Sequence, residues 1–293
     1  MGTVHGVYLK YVGLSALSYA GLSYLSKNDK GSPLTTWQLL GYSAKTVLSL
    51  LTVPGRSSLA GNTVSLWRAV PSLILGYSVL INGVIALLFK LESGMWIIGK
   101  DRKTGQIPKW SYYLFFPFHL PTKFYTALHL LKDKKLVEKN GVVAHKCPVA
   151  TEVQPGWWVG GCHGHELNKD WAGVIDLTVE FPETTIKRTP AYLSMPTWDG
   201  VPATPEQLEE AANFAVRAKE DGNGDILVHC AHGRGRSTTV MCACLVKAGL
   251  FETWEEAFDK GIRPQRSVCK LNRRMRQNLS AWQERFVDGK KGQ

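Results

Sequence analysis

An apolar strand that runs through a glycine-rich loop straight into a helix leaves a chain few architectures, and one such unit stands in the C-terminal half of these 293 residues. Asp225–Ile226–Leu227–Val228 is the strand. His229–Cys230–Ala231–His232–Gly233–Arg234–Gly235–Arg236–Ser237–Thr238 is the loop, and Thr239–Val240–Met241–Cys242–Ala243–Cys244–Leu245–Val246 is the helix-forming run. Glycines at 233 and 235 permit a tight curl in which successive N–H groups point inward. The start of the helix adds the positive end of its dipole, so the loop suits a phosphate dianion. Arg236 closes such a cradle with a planar fork that grips two oxygens at once. Cys230 lies at its floor, where the same field favours thiolate over a free thiol of pKa about 8.5. Ser237 is placed to donate a hydrogen bond to the sulfur, and His229 to order the loop. Ala231, His232 and Arg234 complete the expected binding wall.

The pair His229–Cys230, five intervening residues and Arg236–Ser237–Thr238 resemble the His-Cys-x5-Arg-Ser/Thr signature of the cysteine-dependent protein tyrosine phosphatase superfamily, in particular its dual-specificity branch. The resemblance covers about residues 150–287 and does not reach the N-terminal half. It implies a phosphoric monoester hydrolase without metal or cofactor that forms a phosphocysteine on Cys230. It also requires a carboxylic acid that protonates the leaving oxygen and later activates water. Asp199, in Met195–Pro196–Thr197–Trp198–Asp199–Gly200 and 31 positions before Cys230, looks like that acid; Glu180, Glu183 and Asp225 are the nearby acids that could replace it. Gly261–Ile262–Arg263–Pro264–Gln265 looks like the Arg-Pro turn that this branch places near its cradle.

The same resemblance bears on substrate. Phosphotyrosine, phosphoserine and phosphothreonine in proteins are the substrates it implies. The basic His232 and Arg234 are similar to positions in phosphoinositide and phosphatidylglycerophosphate phosphatases, which makes an anionic phospholipid headgroup the alternative. A central His-Gly is also similar to the RNA 5′-triphosphatase members, which are soluble and lack a membrane half. Two rival classes stand beside these: a module that binds phosphorylated partners without hydrolysis, and an arsenate-reductase or rhodanese-like thiol enzyme, which would not need Asp199.

Charge divides the chain. Residues 1–150 carry 17 lysines and arginines against 5 acidic residues, whereas residues 151–293 carry 18 against 19. A catalytic half with that balance is not expected to bind nucleic acid, and the basic surplus fits flanks beside a membrane. Ala69–Phe89 is uncharged and long enough to cross the hydrocarbon core, at about 1.5 Å per residue. Tyr11–Ser26 suits a second, tightly packed helix, and Trp37–Val53, which contains Lys45, a third. The aromatic stretch Trp110–Phe118 reads as an interfacial anchor, and Leu131–Lys139 as a charged helix that lies on anionic headgroups or serves as a solvated connector. No basic n-region of a cleaved signal peptide opens the sequence. Lys90, Lys100, Arg102, Lys103 and Lys109 follow the strongest span, so an integral membrane protein with its catalytic domain on the cytosolic, reducing side is expected. The organisation is a membrane region over 1–91, a basic juxtamembrane linker over 92–149 and a catalytic domain over 150–287.

From residue 150 the pattern alternates between strands and helices, which predicts an α/β fold: a central, mostly parallel sheet flanked by helices, tyrosine-phosphatase-like, preceded by N-terminal transmembrane helices. Strands are expected at 157–161, 173–178, 190–194 and 225–228. Helices are expected from the Thr204 cap and Pro205, from 252, and over 267–286. The six cysteines show no extracellular pairing framework, and no structural disulfide is expected. Cys162–His163–Gly164–His165 has no second cluster at ligand spacing and reads as a turn where the domain begins, so no metal site is expected.

Overall fold

Five strands carry the loop: β3 (Ala150–Gln154), β4 (Trp157–Gly160), β5 (Gly173–Thr178), β6 (Ala191–Thr197) and β7 (Ile226–His229), in the order β3-β4-β7-β5-β6. All neighbours are parallel except the β3–β4 hairpin. Strands that are central in a parallel sheet are covered on both faces, and every residue of β5 and β7 is buried; Ile226–Val228 of β7 is a continuous apolar run, whereas Asp176 interrupts the apolar residues of β5. Alternate residues serve opposite faces. Ile175, Ile226 and Val228 pack with the helices at Pro205–Gly222, Arg236–Lys247 and Arg273–Gln283, while Val174 and Leu227 are closed over by Trp171, Trp158 and Leu167. In the computed structural model the described residues are 4–25, 66–133, 136–139, 142–145, 147–222 and 224–289.

Local signals set the helix ends. Thr204 and Gln207 form a reciprocal capping box, in which Gln207 N–H donates to Thr204 Oγ1 at 3.3 Å and Thr204 N–H donates to Gln207 Oε1 at 2.9 Å. Asn272 caps the last long helix by accepting from Met275 N–H at 2.8 Å.

The described chain divides into two units, one of Tyr8–Leu91 and one of Glu92–Gln293 with Met1–Val7. In the first, α1 (Val4–Leu25) packs on α2 (Leu66–Lys90), with the rings of Tyr11 and Phe89 5.0 Å apart and Ser15 Oγ donating to Val79 O at 3.0 Å. Among the described residues one helix is long and apolar enough to cross a membrane, over Val70–Lys90 at mean hydropathy 2.1. That segment coincides with the expected Ala69–Phe89 span. By the same measure α1, which takes in the expected Tyr11–Ser26 segment as far as Leu25, does not qualify. Trp37–Val53 lies outside the described residues.

The stretch read as a linker carries elements of the second unit. After a single turn at Met95–Ile98 come α3 (Lys109–Leu114) and α4 (Phe116–Asp133). Ile98, Ile107, Phe115 and Phe118 are buried, and Phe118 meets Trp198 edge-on with ring centroids 5.8 Å apart. The indole of Trp198 donates to Ser93 O at 2.7 Å. The aromatic stretch therefore divides its residues: Phe115 and Phe118 face the core, while Trp110 and Tyr113 are exposed. Leu131–Lys139 is not one helix. α4 stops at Asp133, and β1 (Leu136–Lys139) pairs antiparallel with β2 (Val142–His145). The lysines masked a second signal in the sequence, two short apolar runs about an Asn-Gly pair, which is the strongest short-range hairpin cue.

Candidate active site

The loop begins where β7 ends. Its neighbours β4 and β5 hold it level, with Gly160 and Asp176 in register with His229, and Cys230 N–H donates to Gly160 O at 3.2 Å. Gly233 has φ +64°, and a Cβ there would stand 2.5 Å from the Gly160 carbonyl carbon, so both conformation and space require glycine. Arg266 holds the curl from outside. Its Nε donates to Gly233 O at 2.9 Å and its Nη2 to His232 O at 3.4 Å, while its Nη1 reaches Pro148 O and Thr151 Oγ1. Lys270 N–H donates to Arg234 O at 2.8 Å. In a trans peptide the N–H points opposite to the carbonyl, so carbonyls 232, 233 and 234 turned outward put the amides of Gly233, Arg234 and Gly235 on the other side. The arginine expected here from the Arg-Pro turn was Arg263. That residue is instead exposed and pairs with Asp259 one turn away, because the turn continues through 262–266 and presents Arg266 to the loop.

Cys230 is buried, and Ser237 Oγ lies 3.4 Å from its sulfur. Burial pushes its thiol up, but the Arg236 charge, the Ser237 hydroxyl and the amides of Ser237 and Arg234 outweigh burial and pull it below its ordinary value. Four other thiols behave oppositely: desolvation pushes Cys162, Cys242 and Cys244 up and lifts Cys269 to about 11. Arg236 is itself buried. It is fixed by Glu180 at 2.6 Å and by the carbonyls of Leu177 and Thr197 at 3.1 and 2.6 Å, and its Nε–H has no partner among the described residues. Asp199 Oδ1 lies 3.5 Å from Arg236 Nη2 on a side chain 43% exposed, in the loop that leaves β6 and turns at Gly200, φ +82°. The structure thus brings Cys230, Arg236, Ser237 and Asp199 together. The other acids are committed elsewhere: Glu180 to Arg236, Glu183 to His229, and Asp225 to Trp158 and Lys169 at the opposite end of β7.

Beneath the cradle lies a buried ionic cluster. His229 Nε2 is 2.6 Å from Glu183 and 3.8 Å from Asp176, and Lys100 contacts the Asp176 carboxylate and Thr178 Oγ1. Tyr192 OH donates to Asp176 at 3.0 Å. Burial alone would lower the His229 imidazole; the charges of Glu183 and Asp176 and the Glu183 hydrogen bond reverse this and lift it to about 9, against Lys100. Burial raises the Glu183 carboxyl, but the charge of His229 and the hydrogen bonds from His229 and Thr185 hold it well below the carboxylate range. A histidine raised above its unfolded value contributes stability that is complete below about pH 6.5 and lost as pH rises through its folded value. Unfolding free energy measured by chemical denaturation is therefore expected to fall by about 2–3 kcal/mol between pH 6.5 and pH 9.5, and His229→Gln to flatten that slope. An unchanged slope in the variant would refute the assignment.

Two loop residues behave otherwise than their charge suggests. Burial pushes His232 down to about 4; Asp199 opposes this, while His129, Arg234 and Arg236 add to it, so the ring is neutral at pH 7. Arg234 pairs with Asp133 at 2.6 Å. His232 lies against His129 and Tyr125, with ring centroids 5.2 and 5.9 Å away. One wall of the site is therefore α4, which sequence reasoning left in the linker. Lys100 and Asp176 were missed with it.

Among the described residues two groups of side chains have metal-ligating atoms within 4.8 Å of one another: His163, His165 and Glu166, and Asp176, Glu183 and His229. In the second the Lys100 ammonium already supplies the cation. The first is the Cys162–His165 turn read from the sequence, a single helical turn at Gly164–Leu167.

The dual specificity phosphatase catalytic-domain family matches residues 168–285. Among curated proteins, dual specificity protein phosphatase 26 of Mus musculus is 42% identical over 83 residues, covering 25% of this chain and 39% of that protein. The Homo sapiens protein of the same name is 39% identical over 82 residues with the same coverage. The chain thus spans about two fifths of the length of the curated relatives it matches. Among solved structures it resembles a mouse putative dual specificity phosphatase complexed with zinc tungstate, at TM-score 0.43 and 22% identity over 52% of this chain and 96% of that one. It also resembles PTPMT1 in complex with PI(5)P, at TM-score 0.40 and 21% identity over 48% and 98%.

Proposed function

We propose that this chain, whose residues 168–285 match the dual specificity phosphatase catalytic domain, is a cysteine-dependent phosphatase that hydrolyses phosphomonoesters in proteins, with its catalytic unit tethered to a membrane by Leu66–Lys90. The observation that carries the reading is geometric: Cys230 is buried at the base of a loop whose carbonyls are held outward by Arg266 and Lys270, with Ser237 Oγ 3.4 Å from its sulfur and Asp199 3.5 Å from Arg236, and this setting is the one that pulls its thiol down. A thiolate is useful only as a nucleophile or a ligand, and here it lies among inward amides and a guanidinium.

In the first step the Cys230 sulfur attacks phosphorus. The P–O ester bond breaks, its electron pair leaves on the alcohol oxygen, and the protonated carboxyl of Asp199 delivers a proton there. Arg236 and the amides of 233–235 hold the equatorial oxygens as charge spreads over them. In the second step the Asp199 carboxylate takes a proton from water as that water attacks phosphorus. The P–S bond breaks, and its electron pair returns to a sulfur stabilised by the Ser237 hydroxyl. Phosphate leaves, and both residues are restored. His229, Ala231, His232, Gly233, Arg234 and Gly235 shape the cradle.

A phospholipid headgroup as substrate is the second reading, favoured by the apolar helix Leu66–Lys90, which would keep the site near lipid. The detergent-solubilised full chain is expected to hydrolyse an aryl phosphate, and Asp199→Asn to lower kcat by about 10²–10⁴-fold. Undiminished hydrolysis in that variant would overturn the scheme in favour of a thiol enzyme that uses no acid. Phosphopeptides and phosphoinositide vesicles, assayed side by side, separate the two substrates.

A further inference from the structure

α4 has two dissimilar faces. One packs inward through Phe118, His119 and Thr126 and presents Tyr125, His129 and Asp133 to the cradle loop. The other is an apolar ridge in open solvent: Leu120 is 62% exposed, Phe124 68%, Leu128 50% and Leu131 66%. With 3.6 residues per turn these four fall within an arc of about 80°, Ala127 lies at its edge, and Lys123 and Lys132 stand one on each side of it. Phenylalanine and leucines between lysines are what a helix needs to lie in a bilayer surface, with its apolar side among the upper acyl carbons and its ammonium groups at anionic headgroups. Exposed Trp96, Trp110 and Tyr113, from the preceding segment of the same unit, are the side chains that favour that depth. The tether is also short. Five residues separate Lys90, the end of the helix long enough to span, from Trp96, a reach over six Cα steps of at most about 20 Å.

We infer that the ridge of α4 docks in the surface of an anionic bilayer and so seats the cradle beside the headgroups. The inference rests on the proposed reading only in taking Leu66–Lys90 to sit in that bilayer. The inward face of the same helix holds the loop through Asp133 to Arg234 and His129 against His232, so docking fixes the site as well as the helix.

The test uses the full chain reconstituted in phosphatidylcholine–phosphatidylglycerol vesicles, with p-benzoylphenylalanine placed at Phe124 in one sample and at Leu250 in another. Leu250 is also exposed, but it follows the far end of the helix that begins at the cradle. Irradiation is expected to give lipid adducts at 124 about tenfold above those at 250, with the excess falling in pure phosphatidylcholine. Equal yields at the two positions would overturn the inference, as would adducts at 124 to residues 8–91 or to a second copy of the chain. Aryl phosphate turnover is measured in the same vesicles. Lipid adducts without turnover would leave docking standing and remove the phosphatase reading, and turnover without adducts would do the reverse.

Discussion

Cys230→Ser is expected to abolish turnover of every phosphomonoester, a fall on the order of 10⁴–10⁶-fold, the scale of loss when a covalent nucleophile is removed. A serine hydroxyl accepts the Ser237 hydrogen bond and occupies the same space, but the field that ionises a thiol is too weak to ionise an alcohol. The rest of the receptor is untouched: Arg236 keeps Glu180 and its two carbonyl partners, and the loop keeps its outward carbonyls on Arg266 and Lys270. Tungstate should therefore still bind the variant with affinity close to that of the parent, as measured by calorimetry. Loss of turnover with binding kept identifies the sulfur as the reacting atom. Turnover that survived the substitution would remove the phosphocysteine from the scheme. Carboxymethylation by iodoacetate gives a second check on the parent, since Cys230 should react at a pH where buried thiols such as Cys242 stay protonated and silent.

Lys100→Met is expected to cost about 3–5 kcal/mol of stability, the range found when one partner of a buried ion pair is removed. Asp176 has no solvent exposure, and Lys100 is the cation in direct contact with it. In the variant the Asp176 carboxylate keeps the N–H and hydroxyl of Thr178 and the phenol of Tyr192, but has only His229, 3.8 Å away and already paired with Glu183, as a counter-charge. The double variant Lys100→Met/Asp176→Asn should recover most of the loss, because the orphaned charge goes with the lysine. Denaturation of the full chain followed by tryptophan fluorescence, to which the buried tryptophans 157, 171, 198, 254 and 282 contribute, reports on this unit. Equal losses in the single and double variants would mean that packing, and not charge, carries the effect. A chain cut before residue 150 should suffer the same defect, since the cut removes Lys100, α4 and the partner of Arg234 together.

The contrast between these two predictions follows what could be read from the residues. The cradle is local: strand, cysteine, glycines, arginine and serine occupy one run, and each constrains its neighbours through backbone geometry alone. The parallel sheet was likewise legible, because β5 and β7 are rich in Val, Ile and Leu and are separated by helical patterns. Lys100 was not. Its partner Asp176 lies 76 positions away, and in a basic stretch one lysine looks like any other until the chain folds. α4 failed for a related reason. Its exposed leucines and aromatics set an apolar stripe on the side that faces solvent, and its inward residues belong to no local pattern. The choice between Arg263 and Arg266 turned on three residues of helical phase at a wide turn, which spacing does not specify.

Arg266 has a consequence for how a ligand is met. One guanidinium ties the edge of the sheet, through Pro148 and Thr151, to two successive carbonyls of the loop, so the curvature of the receptor is established when the domain folds. An arriving phosphate need not organise it, and the recognition energy that an unstructured loop would lose to ordering remains available for binding and for the transition state.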